Sequence, residues 1–210
     1  MTAPKPKRRT AERILETALT LFNEHGEPHV TTTLIADALN ISPGNLYYHF
    51  KNKDAILDPL FQRFTREIRE TLTFSTERTI TVEDMWLHLH LVFEVIWRYR
   101  FIYRDLNDLL TRNGKLREQF RRIIREQTDA GMLEFRGLVT AGEMVASEEQ
   151  LETLASNTVL ISTYWLSFEN ARGKSDGNIG RGVYQVMAAI APFLIGDSRL
   201  LLEQLSADYL

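Results

Sequence analysis

"TTTLIADALNISPGNLYYHFKNK", residues 31–53, decides how the rest of the chain is read. Thr31 is a good N-cap, and Leu34, Ile35, Ala38 and Leu39 recur at helical spacing, which predicts a short helix with that stripe turned inward. Asn40 follows it, and asparagine readily takes a left-handed backbone. Ser42 then supplies a second N-cap and Pro43 a first-turn proline, so another helix starts there. Helix, tight turn and helix, with roughly three residues between them, is the helix-turn-helix spacing.

The second helix raises its own question. At about 100° per residue, Pro43, Leu46 and Phe50 share the inward face. Gly44, Asn45 and Tyr48 lie opposite, flanked by Tyr47 and His49. Such an outward face is either a solvated surface or a reader of nucleic acid. Asparagine can pair bidentately with adenine in the major groove, and a tyrosine ring can pack on a thymine methyl. Tyrosine hydroxyls, histidine, lysine and helix N-terminal amides hold phosphates. A glycine at 44 lets backbone approach a duplex closely.

Upstream, Ile14, Leu15, Ala18, Leu21 and Phe22 form one apolar helix face. Thr10 is the expected cap of that helix and Gly26 its C′ residue. "EPHV", residues 27–30, reads as a connector, and residues 1–9, containing "KPKRR", as a disordered basic arm.

With those residues in place, the stretch resembles the DNA-binding domain of the TetR family of bacterial regulators. The likeness rests on Thr31, Ile35-Ala36, Ser42, Leu46-Tyr47, His49-Phe50 and Lys53, and the first helix resembles the family's first helix. It covers roughly residues 10–57. Asn40 departs from the family's usual turn glycine. Pro59 is a second departure and predicts a kink in the following helix. The resemblance implies that Thr31, Thr33, Tyr47, His49 and Lys53 hold phosphates and that Gly44, Asn45 and Tyr48 approach bases. It also implies a homodimer on a quasi-palindromic double-stranded DNA operator.

The remainder has helical period throughout, so the expected fold is all-α. A helix-turn-helix domain over 10–53 would precede a helical ligand-binding and dimerisation domain over 54–210. Helices are expected over 55–74, 81–99, 101–113, 114–144, 147–171, 180–196 and 198–210, with Ser147 and Gln150 as a capping box and 175–180 as a flexible loop. The last two long helices carry broad apolar faces: Val159, Leu160, Thr163, Leu166 and Ser167 on one, Val183, Met187, Ile190, Ala191 and Leu194 on the other. The resemblance implies that they form the dimer interface; internal core is the alternative. Trp86, His90, Phe93, Trp97 and Tyr103 are candidate walls of a pocket for a small apolar effector, although a stripe of aromatics is equally ordinary core.

His88 and His90 are two apart and face different sides, a poor metal pair, and no cofactor is expected. Asp105 and Asp108 read as surface charges or as partners of Arg104 and Arg112 rather than as catalytic acids. The chain carries no P-loop, Gly-x-Ser-x-Gly or His-Glu-x-x-His pattern, so an enzyme is not expected. Absent cysteines exclude disulfides and thiolate chemistry. Net charge is −3, yet residues 1–53 carry more Lys and Arg than Asp and Glu. A local basic surface suffices for a polyanion. The longest apolar run, 186–195, is about half the length that spans a bilayer, and a cytoplasmic protein is expected. The combined reading is a DNA-binding regulator, a repressor released by its effector. Two others compete: a small-molecule carrier or enzyme with a non-working DNA head, and a DNA-bound partner platform that uses no ligand.

Overall fold

The computed structural model describes residues 6–73, 79–174 and 178–207. They form helices α1 (Pro6–His25), α2 (Thr32–Ala38), α3 (Pro43–His49), α4 (Lys53–Thr71), α5 (Val82–Arg98), α6 (Arg100–Arg104), α7 (Leu106–Arg112), α8 (Gly114–Thr140), α9 (Glu148–Ala171), α10 (Ile179–Ile190) and α11 (Gly196–Ala207). Two short 3-10 turns, Glu27–His29 and Ala191–Phe193, join them. The described residues contain no strand, only an isolated bridge between Met144 and Leu194. The chain divides into two compact units. The first comprises 1–66 and 99–116, the second 67–98 and 117–210.

The head unit is built on the apolar face of α1. Ile14, Ala18 and Phe22 are buried there with Ile35 of α2, Leu46 of α3 and Ile56, Leu60 and Phe64 of α4. Of the stripe expected on α2, Leu34 and Ala38 are exposed, and Ala36 is buried instead. Pro43 is also exposed. Gly26 ends α1 with φ 82°, a left-handed turn that a Cβ would strain. Asn40 makes the turn between α2 and α3 with φ 53°. Ser42 accepts the Asn45 amide at 3.2 Å and so starts α3.

Three expectations change here. The first helix begins at Pro6, so Thr10 lies inside it rather than capping it; residues 1–5 lie outside the described residues. Pro59, where a kink is expected, sits inside α4, which spans Lys53–Thr71. The helix expected over 101–113 breaks at Asp105 into α6 and α7. The head extends beyond the sequence expected for it, because α6 and α7 supply part of its core. The Phe101 ring lies 5.3 Å from Phe22, and Tyr103 packs edge-on against Phe64 at 5.7 Å. Aromatic pairs of this kind add about 0.5–1.5 kcal/mol beyond their burial.

In the second unit α5, α9 and α10 pack closely. A Cβ on Gly182 would lie 2.4 Å from Phe93 and 2.8 Å from Trp165, so glycine lets α10 approach both neighbouring helices. α9 starts on the expected capping box: Ser147 accepts the Gln150 amide, and Gln150 accepts the Ser147 amide at 2.7 Å. Of the loop expected over 175–180, residues 175–177 lie outside the described residues.

Candidate functional site

The outward face of α3 carries large side chains that its own chain does not cover. Tyr48 is 68% exposed and Tyr47 48%; Gly44 and Asn45 are exposed, and His49 is half-buried. The Tyr48 and His49 rings meet edge-on at 5.2 Å. Gly44 is informative because nothing inside the chain requires it. Its φ is not positive, and a Cβ there would meet no atom closer than the Ser42 hydroxyl at 3.9 Å.

The threonines at the start of α2 separate into three roles. Thr31 caps α2, accepting the Leu34 amide at 3.1 Å. Thr33 is exposed. Thr32, which the sequence did not single out, lies with its hydroxyl 3.0 Å from the Tyr47 hydroxyl. A run of three threonines gave no signal for which one would reach Tyr47. Lys53 departs from expectation: its ammonium lies 3.0 Å from a Glu27 carboxylate oxygen and donates to the Glu27 carbonyl at 2.9 Å. Lys51 beside it is exposed.

That ion pair belongs to a charged cluster within the head. Glu27 is 0% exposed. Arg112 of α7 donates to its second oxygen at 2.5 Å, and the Glu27 amide donates to Asp105 at 2.8 Å. Asn23 accepts from the Phe101 amide with its side chain and from Arg104 with its carbonyl, both at 3.1 Å. Burial pushes the Asp105 carboxyl above its ordinary range; the Glu27 amide pulls it back down, and the nearby Glu27 carboxylate pushes it up. The sequence "EPHV" read as a mere connector, so this cluster was missed. Its partners are far apart in the chain and leave no local pattern.

The second unit holds a cavity between α5, α8, α9 and α10, reached also by Leu72 just past the end of α4. It gives about 40 Å³ to the centre of a water-sized sphere, room for a few waters. Met85, His88, Leu89 and Val92 line it from α5, Glu134 and Phe135 from α8, and Ser162, Val186 and Ile190 from α9 and α10. None of Trp86, His90, Phe93, Trp97 and Tyr103 lines it. The lining face of α5 starts one residue earlier than the face expected, about 100° round the helix. Trp86 instead stacks on His90 at 5.7 Å, Phe93 packs under Gly182, and Tyr103 is core of the head. Glu134 is 4% exposed, and its Oε1 lies 2.8 Å from His88 Nδ1. Burial holds the Glu134 carboxyl above its ordinary range; the His88 hydrogen bond and charge lower it, and Asp84 raises it further.

The residues expected at a dimer interface are mostly buried in their own chain. Val159, Thr163, Leu166, Val183, Met187, Ile190 and Leu194 are all core. Ser167 and Ala191 are half-buried and Leu160 is 56% exposed. The apolar surface on α9 runs instead along Leu160, Tyr164 and Phe168, spaced four apart on one face. Among the described residues, no group of acids and histidines could hold a metal ion, and no helix is long and apolar enough to cross a membrane.

Comparison with known proteins covers both units. Residues 14–60 match the family model described as bacterial regulatory proteins, tetR family, and residues 63–202 match one described as bacterial transcriptional repressor. A crystal structure of a TetR-family transcriptional regulator from Marinobacter aquaeolei VT8 is 35% identical, with a TM-score of 0.86, over 95% of this chain and 98% of that one. The HTH-type transcriptional repressor KstR2 of Rhodococcus jostii (strain RHA1) is 28% identical over 141 residues, 62% of this chain and 68% of that one. The probable acrEF/envCD operon repressor of Escherichia coli (strain K12) is 38% identical over 72 residues, 33% of each chain.

Proposed function

The chain belongs to the TetR family of bacterial transcriptional regulators, and on that premise we propose that it represses transcription as a homodimer on a quasi-palindromic operator. Each copy lays α3 in the major groove. Gly44, Asn45 and Tyr48 approach base edges, and Thr31, Thr33, Tyr47 and His49 hold phosphates. Thr32 fixes the Tyr47 hydroxyl. Lys53 keeps its ammonium on Glu27, so the phosphate charge at this edge is assigned to Lys51. The observation that carries the reading is the outward face of α3, with exposed tyrosines beside a glycine that its own chain does not need.

The partner copy is expected on the α9 stripe of Leu160, Tyr164 and Phe168. A small, mainly apolar effector is expected in the cavity of the second unit. Leu72 lines that cavity and directly follows α4, whose first residue is tied to Glu27 in the head. Occupancy that moves the end of α4 would alter the spacing of the two reading heads. It can release DNA only if the effector prefers the non-binding state, and operator DNA must then weaken effector binding by the same factor.

The test is a selection of random duplexes on the purified protein, repeated with Asn45→Ala and Tyr47→Phe. The expected result is an enriched palindrome, with Asn45→Ala relaxing one base position in each half-site. Salt-sensitive binding with no enriched motif would sink the operator reading and favour a carrier with a non-working head.

A further inference from the structure

The cavity of the second unit has a charge bias that its apolar walls do not account for. Met85, Leu89 and Val92 give it a hydrocarbon surface, yet Glu134 and His88 also line it. The lining contains no Lys or Arg. Asp84, a further acid, pushes the Glu134 carboxyl up.

These facts rank the possible occupants. An anion would meet a carboxylate and no fixed cation. A neutral hydrocarbon would use the walls and gain nothing from the polar pair. A protonated amine would bring a positive charge to a carboxylate removed from water, where an opposite charge is attracted far more strongly than at the surface.

We propose that the cavity takes a small, mainly apolar molecule bearing one basic nitrogen, whose ammonium is held by the Glu134 carboxylate while His88 fixes that carboxylate's orientation. The proposal rests on the effector reading above and names the chemical class of the effector. The cavity is smaller than an aromatic ring requires, so its walls must yield on binding. Met85 suits that, because an unbranched thioether side chain repacks at little cost.

Calorimetric titration of the full chain with three probes of matched shape tests it: benzylamine, benzyl alcohol and benzoate, each against the natural protein and Glu134→Gln. Benzylamine should bind at least roughly tenfold more tightly than benzyl alcohol, a difference of about 1.4 kcal/mol, and benzoate should bind most weakly. Glu134→Gln should bring benzylamine down to the affinity of benzyl alcohol for the same variant, and a dichroism spectrum and urea transition like those of the natural protein show that the variant is folded. Benzoate binding as well as benzylamine, or an amine advantage that survives Glu134→Gln, overturns the proposal. Benzyl alcohol binding without any amine preference overturns the amine class and leaves the effector reading standing. Failure of all three probes at millimolar concentration overturns both.

Discussion

The two units put their polar chemistry in opposite places. The head turns Asn45, Tyr47 and Tyr48 outward and keeps a charged cluster around Glu27 inside, neutralised by Lys53 and Arg112. The second unit places its sequestered acid, Glu134, on the wall of a cavity with His88 as its hydrogen-bond partner. A buried carboxylate held between two cations serves as a rivet. One with a single histidine can still gain from a positive charge. Identical chemistry thus has different consequences according to how fully its neighbours have neutralised it.

The largest effect should come from stripping the head's rivet. Lys53→Ala combined with Arg112→Ala leaves Glu27 buried without those cations, and breaking a buried pair costs about 3–5 kcal/mol. Glu27→Gln should cost clearly less, because Lys53 and Arg112 both reach solvent. Urea unfolding can report this unit by unit, since the tryptophans Trp86, Trp97 and Trp165 all lie in the second unit. The double variant should move the head's part of the circular dichroism transition to lower urea and spare the fluorescence one. Coincident shifts would show that the units unfold together, and equal costs for the two variants would refute the rivet.

On the outer surface of the head, a pair of variants separates contact with DNA from packing within the chain. Asn45→Ala should cost about 1–3 kcal/mol of operator affinity per half-site. Gly44→Ala should leave stability unchanged or raise it by up to about 1 kcal/mol, since alanine favours helix over glycine. It should still weaken operator binding, because the added methyl meets the duplex and nothing in the chain. Unaltered DNA binding by Gly44→Ala would mean that α3 does not approach DNA at that point.

The head was legible because its signals are local. Asn40, Ser42 and Pro43 each act on the backbone within a few residues, and the wheel of α3 sorts Leu46 from Tyr48 without outside help. The break at Asp105 was not legible, because its carboxylate accepts from Glu27, 78 positions away. The faces of α9 and α10 were ambiguous for another reason. An apolar residue such as Val183 signals burial, and sequence does not say whether its own chain or a partner supplies the cover. On α5 the aromatic stripe drew attention to Trp86 and His90, while the cavity follows the plainer face of Met85, Leu89 and Val92. Tertiary packing chose between two faces that periodicity made equivalent.

Gly182→Ala tests that packing. Its methyl would press into Phe93 and Trp165, and overpacking of this kind costs about 1–3 kcal/mol. Tryptophan fluorescence should follow the loss, whereas operator selectivity should be unchanged. No loss would mean that α10 can slide at small cost.

The smallest effect, and the one that best separates the two buried acids, is the pH dependence carried by Glu134. Its carboxyl is held above the ordinary value of 4.5, chiefly by burial. In that interval the folded state binds the proton more tightly than the unfolded chain does. Stability from this group is therefore complete below the ordinary carboxylate range and is lost as pH rises to the folded value. Glu134→Gln removes that slope. Asp105, raised by burial in the head, should contribute a slope of the same sign that the variant retains. Fluorescence-monitored urea midpoints measured across the acid range should therefore flatten in Glu134→Gln, while the dichroism transition, which averages the helices of both units, keeps the part that Asp105 carries. Superimposable pH profiles for the natural protein and Glu134→Gln would mean that His88 already neutralises Glu134 fully. The cavity would then be a second rivet, with no charge left to offer an amine.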